Sequence, residues 1–333
     1  MASYVGILSW ETKEAVLRNL AGLLKSPINP ANVVVFDNAS TDGTVDAVQK
    51  IFPDVACIRS ETNLGFTGGM NRLVEALAAP NVVLLSADEF TDGRSIDRMI
   101  GTLEENPDAA VCGGAVVGLP ELRVQDAGGI LTYPLGVCMP HARGKTLSEL
   151  PTDVREVAYV DGGFMAVNRS AFKSLGGFDE NYFGYHEDVD LCWRARLMGW
   201  RVLCDSRAVA HHLTHASFKV AEQRWFLMER NRIRTNIKNL DSLHLTVSLL
   251  YELVYGPAVV MSSVVAGMPE YGRAYIRGAG SACCSIRKLW KERRSIQRHR
   301  CVSDIQIALL QERAGPLSVL RMLDQQRKRN LHD

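Results

Sequence analysis

The feature that most restricts the fold is an alternation near the start of the chain. Short β-branched runs take turns with segments of helical spacing, and each run ends in a polar or glycine-rich cluster. Tyr4–Ser9 is predicted as a buried strand, and Thr12–Lys25 has helical spacing through Val16, Leu20, Leu23 and Leu24. Asn32–Phe36 is a second strand ending in the polar turn Asp37–Gly43; Thr44–Phe52 follows as a helix and Val55–Ile58 as a third strand. Asn63–Gly69 is a glycine-rich loop leading into a helix through Ala79, and Asn81–Leu85 is a fourth strand ending in Ser86–Glu89. This pattern predicts a mostly parallel α/β sheet flanked by helices, with sites at the carboxyl ends of its strands. The clusters at 37–43, 63–69 and 86–89 all fall at such ends.

Residues 109–168 are strand- and turn-rich: Ala109–Val117, a glycine- and proline-rich excursion, then Val157–Val160 and Phe164–Asn168. Ser170–Leu175 is a short helix and Arg201–Leu203 another strand; Ala208–His215 places three histidines within five residues, and from Phe218 the chain reads as helical. Leu243–Met268 is strongly apolar, but Glu252, Gly256-Pro257 and Gly267 interrupt it. It leaves no uncharged helical span of about 18 residues, so a helix pair on a membrane surface or on the core is expected rather than a membrane-spanning helix. The expected domains are 1–240 and a helical extension, 241–333.

A net charge of +1 conceals a division. Residues 219–333 hold 20 Lys and Arg against 10 Asp and Glu, which leaves 18 against 27 for residues 1–218. Ile286–Arg300 alone carries seven basic residues and one acid. A basic back on an acidic front suits contact with phosphates, whether of nucleic acid, lipid headgroups or a lipid-linked substrate. The eight cysteines form no C-x-x-C pair, and the N-terminus, without a basic leader, reads as a strand; both point to a reduced, cytosolic setting.

The stretch from Asn181 to Trp200 puts Glu187, Asp188 and Asp190 where a helix begins, with Leu191, Ala195 and Met198 at helical spacing behind them. Carboxylates in a first turn are favoured by the helix dipole. Asp188 at such a helix mouth has the reach and fixity of a general base, although three acids there can also simply cap a helix. Asp37, ending a strand, can accept a nucleobase imide N–H or a ribose hydroxyl, or cap its own turn. The 63–69 loop offers backbone N–H groups to a diphosphate, or forms a tight turn. Asp88 beside Glu89 supplies oxygen to a hard cation, with His211 or His212 as a nitrogen partner. Together these are the needs of group transfer from a nucleotide donor.

The motifs resemble glycosyltransferase family 2, the inverting enzymes of GT-A fold, over about residues 3–240. V-V-V-F-D-N-A-S-T-D-G-T resembles the family's donor-base segment, which assigns the nucleobase to Asp37 with Asn38, Ser40 and Asp42 nearby. N-L-G-F-T-G-G-M-N-R resembles its glycine loop, implying donor contacts from Asn63, Gly65 and Asn71. The long run D-G-G-F-M-A-V-N-R through G-Y-H-E-D-V-D-L-C-W-R is the most specific match. It implies Asp188 as catalytic base, Glu187 beside it, and Gly162 and Gly163 near the sugar. Where the family commonly has Asp-x-Asp, this chain has Ser86-Ala87-Asp88, which carries Asp88 over as the metal ligand and replaces its first partner by a hydroxyl. His212, 24 residues after Asp188, resembles the family's metal-binding histidine, with His211 adjacent as the alternative.

R-W-F-L-M-E-R-N-R-I-R-T-N-I-K-N-L and the apolar helices after it resemble the rhamnosyltransferase-like branch. What this implies is a divalent metal (Mg²⁺ or Mn²⁺), a dTDP- or UDP-linked donor with rhamnose first, and a saccharide or lipid-linked saccharide acceptor in cell-envelope polysaccharide synthesis. It also implies a cytoplasmic protein peripheral at the inner face of the membrane, with no nucleic-acid partner. A UDP-hexose or UDP-N-acetylhexosamine donor is the alternative, and a non-catalytic partner in an assembly complex a further one. A nucleotidyltransferase would need an N-terminal glycine-rich loop, yet residues 1–31 hold only Gly6 and Gly22. An NAD enzyme would want G-x-G-x-x-G where Ser9-Trp10-Glu11 stands.

Overall fold

The structure is a computed structural model that describes residues 3–213, 221–308 and 311–313; His215 and the basic residues beyond 313 lie outside this set. The described chain forms two compact units. One comprises residues up to Ile130 together with Pro140–Lys219; the other comprises Leu131–Met139 and everything from Val220. The second unit thus takes in residues 220–240 and 131–139, which the sequence reading assigned to the first domain.

The first unit opens as β1 (Val5–Ser9), α1 (Lys13–Leu23), β2 (Val33–Asp37), α2 (Thr44–Ile51), β3 (Ala56–Arg59), α3 (Gly65–Ala76) and β4 (Asn81–Ser86). There follow β5 (Glu89–Thr91), α4 (Gly93–Glu105), β6 (Ala109–Leu119) and β7 (Arg123–Asp126), then β8 (Gly129–Tyr133) and β9 (Val137–Pro140), most of whose residues belong to the second unit. The unit closes with β10 (Val154–Glu156), β11 (Phe164–Asn168), α5 (Arg169–Ser174), α6 (Glu187–Leu197) and β12 (Arg201–Leu213).

The sheet runs β10-β12-β6-β11-β4-β1-β2-β3, with β5 on β12 and β7 on β6. Its first four strands are mutually parallel and every residue of β1 and β2 is buried, as expected for strands covered by helices on both faces. The order reverses between β1 and β4, the switch point where the carboxyl ends of strands leave a crevice. Ser9, Asp37 and Ser86 end β1, β2 and β4 there. β11 then runs antiparallel to both β4 and β6, and β12 runs parallel to β6. Val5, Ile7, Val35, Leu85, Met99 and Phe164 lie in the main core.

Three local expectations change. The 63–69 segment is not an open loop: α3 begins at Gly65, whose φ of +71° only glycine adopts readily. A Cβ there would lie 2.5 Å from the Phe183 carbonyl oxygen, which accepts the Phe66 N–H. Val157–Val160 is not a strand: it is joined to its neighbours by a bridge from Tyr159 to Gly129 and by the Val157 N–H on the Val202 carbonyl. The strand expected at Arg201–Leu203 continues to Leu213, bulged after Cys204, so His211 and His212 stand on a strand.

The second unit holds α7 (Ala221–Asn239), α8 (Ser242–Val265), α9 (Pro269–Cys284), α10 (Ile286–Arg298), α11 (Asp304–Ala308) and β13 (Gln311–Arg313). β13 pairs with β8. α8 passes through Gly256-Pro257 unbroken, contrary to the expected interruption. A glycine before the proline has no Cβ to clash with the pyrrolidine ring, which removes part of the usual barrier to helix at that position. Close packing has the same requirement, since a Cβ on Gly256 would sit 2.7 Å from the Tyr275 hydroxyl. Among the described residues α8 is the helix long and apolar enough to cross a membrane by length and composition alone.

α7 is buried yet polar: Glu229, Asn231, Arg232, Arg234, Asn236 and Lys238 are all inside. Arg232 pairs with Glu229 at 3.0 Å and with Glu252, and donates to the Leu135 carbonyl at 2.7 Å. Tyr271 and Tyr275 donate to Glu229 and Glu252 at 2.8 Å each. Asp241, His244 and Asp304 lie close enough to hold a cation, but their atoms are engaged with one another and with Arg300.

Gly65→Ala is expected to cost roughly 2 kcal/mol of stability, because it combines a left-handed backbone with a backbone clash. Urea unfolding measures this; a change below about 0.5 kcal/mol would contradict the packing described.

Candidate active site

Asp37 terminates β2 with its side chain only 1% exposed. Its Oδ2 accepts the Ser40 N–H at 3.3 Å and faces Arg59 Nε at 3.4 Å, whereas buried Oδ1 has no partner. A buried oxygen without a donor is costly, and an imide N–H or ribose hydroxyl is what would satisfy it.

The neighbouring predicted residues are engaged within the protein. Asn38 donates to Asn63 Oδ1 (3.0 Å) and the Gly65 carbonyl (2.9 Å), and accepts the Leu64 N–H (2.8 Å). Ser40 Oγ accepts the Glu11 N–H, and Asp42 accepts from Thr44 and Lys13 at the start of α2 and α1. Asn71 reaches away to Phe178 and Glu180. These side chains shape the loops around Asp37 rather than presenting free polar atoms.

The second cluster follows β4. Asn19 of α1 donates to the Glu89 carbonyl at 2.7 Å and lies near the Ala87 and Ser86 carbonyls, which fixes this turn. The Ala87 N–H is tied to Leu8 and the Ser86 N–H to the Gly163 carbonyl. Asp88 is buried, and His212 Nε2 lies 3.7 Å from its Oδ2. Ligands at about 2.1 Å from one hard cation stand about 3 Å apart when adjacent and about 4 Å when opposite, so this pair fits a divalent ion. His211 and His212 alternate along β12, which turns His211 to the other face of the strand. Burial opposes a charge on His212, but Asp88 beside it outweighs that and raises its pKa.

The third cluster is the mouth of α6. Three residues before it, Phe183, Tyr185 and His186, have φ of 65°, 66° and 70°, a conformation that costs non-glycine residues free energy. The loop so formed delivers three acids to different tasks. Asp190 turns inward to Arg194 at 2.8 Å, whose guanidinium also binds the Leu175 and Gly177 carbonyls. Glu187 is buried with Oε2 unpartnered. Asp188 Oδ2 accepts the Gly162 N–H at 3.2 Å and Oδ1 its own neighbour's N–H, from Val189, at 2.7 Å. Burial, then the carboxylate of Asp161, raises Asp188 to about 7. Glu187 is pushed well above the carboxylate range by burial and by Asp188.

The structure adds four residues. Asp161 accepts the Gly163 N–H at 2.8 Å and acts electrostatically on Glu89, Asp126 and Asp188. Glu89 and Asp126 are buried, each with one unpartnered oxygen, and burial together with neighbouring carboxylates drives both well above their usual range. Gln125 bonds His212. Asp161 adjoins the Gly162-Gly163 motif and Glu89 adjoins Asp88, so both were within reach of the pattern; Gln125 and Asp126 lie in the turn-rich excursion, which carried no signal. Gly163 is glycine because a Cβ would meet the Glu89 carboxylate at 2.6 Å. The result is a group of carboxylates in which Asp161 acts both on Asp188 at a helix mouth and on His212 beside Asp88.

A family model described as "Glycosyltransferase like family 2" matches residues 2–227. The chain is 30% identical over 224 residues to an N-acetylglucosaminyl-diphospho-decaprenol L-rhamnosyltransferase of Mycobacterium tuberculosis, covering 60% of this chain and 72% of that protein. Its fold is similar to that of GalNAc-T7 solved with UDP, GalNAc and Mn²⁺: TM-score 0.59 at 14% identity, over 73% of this chain and 48% of that one. It is also similar to the mannosyltransferase PcManGT of Pyrobaculum calidifontis in complex with GDP-Man and Mn²⁺: TM-score 0.53 at 15% identity, over 84% and 86%. With the match spanning most of the chain and the sheet order that of a GT-A core, the protein belongs to glycosyltransferase family 2 and is a glycosyltransferase.

Proposed function

We propose that this protein moves a sugar, with L-rhamnose the first candidate, from a nucleoside-diphosphate donor to a saccharide or lipid-linked saccharide, inverting the anomeric configuration. The observation that carries the reading is Asp188: a carboxylate oxygen held by the Gly162 N–H at a helix mouth, with Asp161 acting electrostatically both on it and on His212 beside Asp88. The rhamnose assignment is supported by the Mycobacterium tuberculosis relative.

In this reading Asp37 Oδ1 accepts from the nucleobase or ribose, and the loops latched by Asn38 and Asn63 frame that contact. Asp88 and His212 hold a divalent ion, Mg²⁺ or Mn²⁺, which supplies positive charge beside the departing diphosphate. Asp188 takes the proton of an acceptor hydroxyl while that oxygen bonds to the anomeric carbon. The bond from that carbon to the diphosphate breaks from the opposite side and its electron pair leaves with the phosphate. No enzyme nucleophile is needed. Glu187, whose pKa burial and Asp188 push well above the carboxylate range, is suited to donating a hydrogen bond rather than to competing as a base.

We also read α8 as a membrane contact. Leu243, Leu250, Val254, Met261 and Val265 are each at least 60% exposed. At 100° per residue they form one stripe along the helix. Such an apolar face suits the headgroup–acyl boundary, and the basic residues Arg287, Lys288, Lys291 and Arg294 of α10 suit anionic lipid. This supports a protein peripheral at the cytoplasmic face of a membrane.

Asp188→Asn is expected to lower transfer about 10²- to 10⁴-fold while nucleotide affinity changes by no more than a few-fold. Calorimetry and product release with dTDP- and UDP-sugars measure the two; loss of nucleotide binding would count against a base. Because a base acts when ionised, kcat/KM should rise with pH and level off above about 7, and Asp161→Asn should shift that rise to lower pH. A flat profile between about pH 5 and pH 9 would remove Asp188 from the role. Truncating at residue 240 would strip α7 of its packing, so the membrane reading is better tested by Leu250→Glu with Val254→Glu. The pair should abolish flotation with anionic phospholipid vesicles; unchanged flotation sinks the idea, and wild-type self-association that the pair abolishes would make the stripe a protein contact.

A further inference from the structure

β7 and β12 flank β6 near its carboxyl end, where His212 stands opposite Gly118 on one side and Arg123 opposite Gly118 on the other. Side chains two strands apart start about 10 Å from one another and ordinarily have a residue between them. Here they meet: Gln125 Oε1 lies 2.8 Å from His212 Nδ1. Two local features make this possible. Val116 pairs with Asp126 but Val117 pairs with Val124, which leaves Gln125 as the extra residue of a bulge, freed from strict alternation. Gly118 leaves the intervening space open, for a Cβ there would fall 2.3 Å from Gln125 Nε2.

We propose that Gln125 is a positioning residue that fixes the tautomer of His212: its amide oxygen accepts Nδ1–H and so keeps Nε2, on the Asp88 side, as the nitrogen that meets the cation. The inference rests on the reading of Asp88 and His212 as the cation pair. A neutral imidazole carries one proton, and the hydrogen bond made by one nitrogen decides which electron pair the other offers. Partners of this kind orient metal-binding histidines and typically contribute 10- to 100-fold in affinity. With the amide hydrogens of Gln125 lying over Gly118 and its oxygen on the ring, acceptance at Nδ1 is the arrangement that leaves Nε2 available. Gly118 belongs to the same device, since any side chain there would push the amide off the histidine.

The test is Mn²⁺ binding to the full chain, by paramagnetic resonance or calorimetry, together with ¹⁵N spectra of the His212 ring with Mg²⁺. Gln125→Leu should weaken Mn²⁺ binding about 10- to 100-fold and erase the Nδ1–H signature. Gln125→Glu, which keeps an acceptor, should return affinity to within a few-fold of wild type. Gly118→Ala should reproduce the leucine variant while leaving both partners in place. Mn²⁺ affinity unchanged in Gln125→Leu overturns the proposal, and so does a glutamate variant as weak as the leucine one, which would make the role one of packing. If His212→Ala binds Mn²⁺ as well as wild type, the cation reading itself fails and the positioning role falls with it.

Discussion

Carboxylates do not gather in a protein interior without compensation. Asp88, Glu89, Asp126, Asp161, Glu187 and Asp188 share one region of the first unit, and for four of them burial and like charge raise the pKa above the ordinary range. The rest of that unit is arranged to hold them in place. Asn19 ties down the turn beyond β4, the Gly162 and Gly163 N–H groups bind two of the acids, and Arg194 takes Asp190 out of the group. A cation on Asp88 and His212 would offset part of this negative charge. Space is tight here as well: a Cβ at Gly163 would meet the Glu89 carboxylate at 2.6 Å, and one at Gly162 would lie 3.2 Å from the Asp188 Cβ.

The second unit solves a related problem with its own charges. α7 is interior, yet it carries arginines, a glutamate, asparagines and a lysine. Each Arg232 hydrogen bond is to a carboxylate or a carbonyl, and the two glutamates are in turn bound by tyrosines. Removing one partner of such a buried pair leaves an uncompensated charge, typically a loss of about 3–5 kcal/mol. This network also anchors residues 131–139, through the Leu135 carbonyl, to the unit formed by the C-terminal helices.

Much of this was legible beforehand. Continuous apolar and β-branched runs located β1, β2 and β4, because strands buried on both faces read that way, and helical spacing located α1 and α2. The acids at the start of α6 were visible because a helix beginning with three carboxylates is unusual without a purpose. What was not legible depends on contacts between distant residues. Gly65 looked like part of a phosphate loop, but its conformation answers to Phe183, over a hundred positions later in the chain. Gln125 and Asp126 sit in a segment without periodicity, and the bulge of β7 against β6 frees Gln125 from strict alternation. α7 read only as a helix, since the partners that let its polar residues lie inside belong to distant segments. α8 read as broken because the rules for glycine and proline are local ones, whereas Gly256 answers to the Tyr275 hydroxyl of α9.

The loop of Phe183, Tyr185 and His186 bears on how this sequence can change. Three side chains held in a left-handed backbone cost of order 1–2 kcal/mol each, a sum comparable to much of a domain's net stability. A lineage that replaced them with glycine would fold with margin to spare and accept more substitutions elsewhere, yet the Phe183 ring that packs on Gly65 at the start of α3 would be lost. Retaining them makes the whole unit less tolerant of sequence drift, so the acid at the helix mouth sets a limit on how far residues that never touch it can vary.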